Sequence, residues 1–77
     1  MEQQITIAVL GSGEMGNTIV QELKSMPEIK RIVCFDPVES QLTKIKANHP
    51  QVEITSSLEA IFADEDIKLV FISANNA

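Results

Sequence analysis

A chain of 77 residues with 44% hydrophobic side chains is long enough for one small core and too short for two. Six Lys and Arg stand against eleven Asp and Glu, and the formal charge of −5 opposes accumulation on nucleic acid or on an anionic membrane, so neither is an expected partner. No apolar run approaches the roughly 20 residues of a membrane span, the Met-Glu-Gln-Gln start lacks the basic and apolar regions of a signal peptide, and Cys34, the single cysteine, excludes a disulfide framework or a CxxC motif.

Those features predict a soluble, cytoplasmic protein. Gln4 to Leu10 is a continuous apolar and β-branched run that stops at a glycine cluster, and it reads as the first strand. Met15, Ile19, Val20 and Leu23 recur at helical spacing, with Met26 extending the stripe before Pro27, which predicts a helix over residues 14 to 25. Lys30 to Phe35 holds Ile32, Val33, Cys34 and Phe35 without a break, as in a strand of a parallel sheet covered on both faces, and Cys34 reads there as a small apolar residue.

Pro37 sets the turn into a second helix with Val38, Leu42 and Ile45 on one stripe, ended by Asn48, His49 and Pro50; His49 reads as a surface residue of that turn. Val52 to Thr55 is a short third strand. Ser56 with Glu59 three residues on has the form of a capping box opening a brief helix that turns Leu58, Ile61 and Phe62 inward. Leu69 to Ile72 is the fourth strand. The β-α-β-α-β-α-β order with short connections predicts an α/β fold: a Rossmann-type three-layer parallel sheet, partial at four strands, in the order 3-2-1-4. An apolar strand at the end of a sheet normally needs cover, so residues 1–77 are expected to be an incomplete dinucleotide-binding domain.

Gly11, Gly13 and Gly16 fit G-x-G-x-x-G, a weak pattern alone. Here it follows a strand, opens a helix, has an acid, Asp36, 20 residues after Gly16 at the end of the next strand, and uses every glycine in the chain. Gly11 permits the turn, Gly13 a close approach of a pyrophosphate, and Gly16 close packing of the helix, while the helix N-terminus supplies free N–H groups and roughly half a positive charge. The expected cofactor-binding set is therefore Gly11, Ser12, Gly13, Glu14, Met15 and Gly16, the Glu14 carboxylate pointing to solvent, together with Asp36 and Pro37. Asp36 would accept from both adenosine ribose hydroxyls, which selects NAD over NADP; the same residue suits a helix cap before Pro37, and the two roles are compatible. Ser73, Ala74, Asn75 and Asn76 follow the fourth strand beside the crevice where the strand order reverses, and either line the cofactor or form an ordinary polar loop.

Over essentially its whole length the chain resembles the N-terminal domain of the glucose–fructose oxidoreductase / inositol dehydrogenase / MocA family. The likeness lies in Ile-Ala-Val-Leu-Gly-Ser-Gly-Glu-Met-Gly, in Met-Pro-Glu-Ile-Lys before a strand ending Cys-Phe-Asp-Pro, and in the segment from Ser56 to Ser73. Where that family continues Ala-Thr-Pro-Asn, this chain has Ser73, Ala74, Asn75 and Asn76, so Asn76 matches the family Asn and Asn75 replaces the Pro. The resemblance implies an NAD- or NADP-dependent dehydrogenase of sugars, inositols or related polyols with a second, substrate-binding domain. The family's Glu-Lys-Pro motif and its catalytic Lys are absent here, so no catalytic residue is expected in this chain. A homo-oligomer is compatible with that reading. The rival reading is a regulatory nucleotide-sensing domain like those gating potassium channels, in which no hydride moves.

Overall fold

The computed structural model describes residues 4–73. Strand and helix alternate as β1 (Ile5–Leu10), α1 (Glu14–Lys24), β2 (Ile29–Phe35), α2 (Glu39–Asn48), β3 (Glu53–Thr55), α3 (Leu58–Ala63) and β4 (Ile67–Ile72). The four strands form one parallel sheet in the order β3-β2-β1-β4, as the sequence predicts. Parallel strands joined through helices place the next strand beside its neighbour only by a crossover, so the first two crossovers build outward from β1 to β3 and the third returns to the other side of β1. The tips of β1, β2 and β4 thus meet at the point where the order reverses.

Alternation along the central strands divides the core in two. Ile7 and Val9 of β1, with Ile32 and Cys34 of β2, pack with Val20 and Leu23 of α1, Ile45 of α2 and Val52. Ala8 and Val33 face the other way, against Ile61 of α3, with Leu10, Phe35 and Ile67 beside them. Each fully buried aliphatic side chain contributes roughly 1.5–3 kcal/mol, so the face carrying α1 and α2 dominates the stability of the fold.

Several inward placements expected from periodicity do not hold. The α3 helix begins one residue later than the Ser56–Glu59 box requires: Ser57 is its N-cap, and the Ser57 Oγ accepts from the Ala60 N–H at 3.3 Å. The expected box fails for that reason, and on this short helix only Ile61 is buried, whereas Leu58 and Phe62 are exposed, Phe62 at 75%. Met15, Met26 and Val38 also lie outside the core. On β4, Leu69, Val70, Phe71 and Ile72 remain exposed, because among the described residues this strand pairs with β1 on one side only and the short α3 packs through Ile61 against the central strands rather than over β4.

Candidate functional site

At the carboxyl end of β1 the chain turns through Gly11, whose φ of 100° lies in the region L side chains rarely adopt. Its N–H donates to the Phe35 carbonyl at 2.7 Å, anchoring the turn to the tip of β2. Gly16, one turn into α1, approaches so closely that a Cβ there would lie 2.1 Å from the Gly11 carbonyl oxygen. Gly13 is different. It is the N-cap of α1 with a φ of −75°, which any residue adopts, and a Cβ there would meet nothing within 4 Å. The fold therefore needs Gly11 and Gly16 for its own packing, and leaves the space above Gly13 open.

Asp36 joins the two strand tips. Its Oδ2 accepts from the Ser12 N–H at 2.8 Å and its Oδ1 from the Val38 N–H at 2.8 Å, with the residue 8% exposed. The second bond is an Asx turn that leads the chain through Pro37 into α2, whose N-cap Val38 has no capping side chain of its own. Charge-assisted bonds of this kind hold a carboxylate in one orientation. Each oxygen still has a lone pair free to accept from a ligand. Ser73 braces the third tip: its N–H donates to the Leu10 carbonyl at 2.8 Å, and its hydroxyl lies 2.7 Å from the Gly11 carbonyl and 3.0 Å from that of Leu10.

These groups open on a cleft of about 1040 Å³ bordered by Gly11, Gly13, Met15, Asp36, Pro37 and Ser73, with Glu14 on its rim and exposed. The first-turn N–H groups of α1 have no intrahelical acceptors and point to this end of the sheet. Ser12 is 4% exposed, and its Oγ has no hydrogen-bond partner among the described residues. Of the residues expected here from sequence, Gly11, Ser12, Gly13, Glu14, Met15, Gly16, Asp36, Pro37 and Ser73 converge; Ala74, Asn75 and Asn76 lie outside the described residues.

One expectation is overturned. His49 is not a surface residue: it is 2% exposed, with Nδ1 3.0 Å from Lys24 Nζ and Nε2 2.8 Å from Asn17 Oδ1. Both partners belong to α1, 25 and 32 residues away in sequence, so no local pattern around Asn48-His49-Pro50 announces them. Asn17, which directly follows Gly16, borders a second groove of about 280 Å³ behind the loop, shared with Ser12, Gly13, Lys44 and Asn48.

No family model matches the chain. Among curated proteins it is similar to an uncharacterised oxidoreductase, YrbE, of Bacillus subtilis, 31% identical over 78 residues, spanning the whole of this chain and 23% of that protein. Among solved structures it superposes on a protein assigned as an NADPH-dependent oxidoreductase of Desulfitobacterium hafniense with a TM-score of 0.85 at 21% identity, covering 99% of this chain and 22% of that one. It also superposes on scyllo-inositol dehydrogenase of Lactobacillus casei, solved with NAD(H) and scyllo-inositol, with a TM-score of 0.72 at 20% identity, covering 95% and 22% of the two chains. The chain spans 21–23% of the length of the curated relatives it matches. The likeness to the N-terminal Rossmann domain of the glucose–fructose oxidoreductase / inositol dehydrogenase / MocA family, expected from the residues, is borne out by these neighbours. Among the described residues no helix is long and apolar enough to cross a membrane.

Proposed function

We propose that this chain, a Rossmann domain of the inositol-dehydrogenase type, binds NAD through its adenosine and pyrophosphate and serves an oxidoreductase acting on a sugar or polyol. The observation that carries this reading is the open space over Gly13, set between the unpaired first-turn N–H groups of α1 and the fixed carboxylate of Asp36. A diphosphate fits there because main-chain donors and the helix dipole neutralise it without a Lys or Arg. The Ser12 Oγ, without a partner among the described residues, would add a donor in the same loop. Glu14, Met15 and Pro37 would flank the bound cofactor, and Ala74, Asn75 and Asn76 would extend the site toward the nicotinamide.

The preference for NAD over NADP rests on Asp36. A 2′-phosphate about 4 Å from its carboxylate is repelled by about 4 kcal/mol per unit charge at an effective dielectric near 20. Residues 37 to 41 bring no Arg or Lys to offset that. When bound, the nicotinamide supplies hydride acceptance or donation; this chain's own residues bind and orient the other half of the molecule. The described residues place no acid or base at the cleft besides Asp36 and Glu14, so the groups acting on the substrate belong, in this reading, to a further part of the protein. The sensor reading is not favoured, since the relatives and neighbours are oxidoreductases.

Calorimetry of the chain with NAD and NADP, in wild type and in Asp36→Ala, tests the proposal. NAD should bind at least about tenfold more tightly than NADP, and the substitution should narrow that gap. Equal affinities in the wild type would remove Asp36 from cofactor selection.

A further inference from the structure

The buried imidazole of His49 has a definite hydrogen-bonding polarity. An ammonium only donates, so Lys24 Nζ, 3.0 Å away, makes Nδ1 the acceptor and puts the ring proton on Nε2. Nε2 then donates to Asn17 Oδ1 at 2.8 Å, and the Asn48 amide lies 3.4 Å from the same oxygen. Both contacts agree on which end of the Asn17 amide faces the ring, and Asn17 also borders the groove shared with Ser12 and Gly13. The Asn17 N–H, in turn, donates to the Gly13 carbonyl at 2.9 Å, the first hydrogen bond of α1. A chain of contacts therefore runs from Lys24 through His49 and Asn17 to the residue at the centre of the loop. At its other end His49 caps α2, its N–H donating to the Ile45 carbonyl at 2.8 Å.

We propose that His49 is a positioning residue for the loop at residues 11–16, a latch that holds the first turn of α1 through Asn17 while its ring is neutral and lets go when the ring takes up a proton. The latch rests on the reading of that loop as a diphosphate cradle. In the protonated ring both nitrogens donate, so Nδ1–H would face the Lys24 ammonium donor to donor, with like charges in contact. The ring or the lysine must then leave its seat, and Asn17 loses its anchor. Lys24, from α1, is the charged group that acts on the ring among the described residues; α2 brings the Asn48 amide, and the turn after it brings the Val52 N–H to the His49 carbonyl. Among the described residues no carboxylate acts on the ring to stabilise the cation.

Burial, and then Lys24, hold the His49 pKa below its ordinary 6.5. A histidine whose pKa is lower folded than unfolded stabilises the fold fully above about pH 6.5, and that contribution drains away as the pH falls below it. The latch is therefore closed at neutral pH and weakens under mild acid.

The test pairs NMR with calorimetry on the chain between about pH 7.5 and about pH 5.5. The ring ¹⁵N shifts should report the Nε2–H tautomer at the upper end, and the Asn17 side-chain amide should move with the His49 midpoint. NAD affinity should fall roughly threefold or more across that range in the wild type and stay nearly flat in His49→Gln, which keeps a neutral donor and acceptor. Lys24→Met should move the His49 midpoint upward, and it provides a second route should His49→Gln not fold. A midpoint at or above the ordinary histidine value in the wild type, or an Asn17 resonance indifferent to it, would overturn the latch. Parallel pH profiles in wild type and His49→Gln would do the same. Failure of NAD to bind at every pH would instead remove the cofactor reading, and the latch would then stand or fall on the NMR titration alone.

Discussion

The two ends of the sheet handle their polar groups in opposite ways. At the amino end, Arg31 of β2 is gripped by three carboxylates, Glu53 at 2.7 Å, Asp64 at 3.0 Å and Asp66 at 3.4 Å, so cation and anions satisfy one another across β2, β3 and the turn before β4. At the carboxyl end, among the described residues, the first-turn N–H groups of α1 and the Ser12 hydroxyl have no partners and the space above Gly13 is open, with Asp36 held in place by two main-chain N–H groups. One end is closed on itself; the other is built and left open. A buried hydroxyl left without a partner costs free energy unless something else satisfies it, and this asymmetry is what supports placing the proposed cofactor site at the carboxyl end.

The sharpest way to break the comparison uses two glycines three residues apart. Gly16→Ala drives a Cβ into the Gly11 carbonyl, a main-chain group that cannot move aside as a flexible side chain could, and should cost about 3 kcal/mol or more in chemical denaturation. Gly13→Ala meets no protein atom, so it should stay within about 1 kcal/mol of wild-type stability, while filling the space we assign to the diphosphate and weakening NAD about tenfold or more by calorimetry. If Gly13→Ala bound NAD as well as wild type, the open end would be only a turn.

The closed end gives the smallest effect. Its hydrogen bond to Arg31 holds the Glu53 carboxyl below its ordinary pKa of 4.5, and the Asp66 N–H, then Arg31, hold Asp64 below its ordinary 3.8. Carboxylates depressed in the folded state stabilise it above their unfolded values, and that support is lost as the pH falls through the folded ones. The Arg31–Glu53 pair, half in solvent, should be worth about 1 kcal/mol or less. Denaturation midpoints should therefore dip below about pH 4.5, a window separate from that of His49, and Arg31→Met should shrink the dip without altering NAD affinity at neutral pH. Loss of NAD binding in Arg31→Met would mean that the two ends are not independent.

Much of this was legible in the sequence because it rests on local chemistry. The strand order follows from alternating unbroken apolar runs and helices, and the convergence of Gly11, Gly13 and Asp36 follows from a glycine turn and an acid placed after consecutive parallel strands. What stayed hidden depends on contacts between distant residues. The burial of His49 is decided by Lys24 and Asn17 on another helix, and the serine that caps α3 by a one-residue shift in where that helix begins. Phe62 and Leu58 looked inward because an apolar residue on a short helix carries no sign of whether anything lies opposite it.

The most direct measurement of the central claim is a titration of isotope-labelled chain with NAD, followed at each backbone amide. The account predicts that the largest shifts fall on Gly11 to Gly16 and on Asp36 to Val38, with Arg31, Glu53 and Asp66 scarcely moved. Shifts centred on the Arg31 end, or none at saturating NAD, would contradict it.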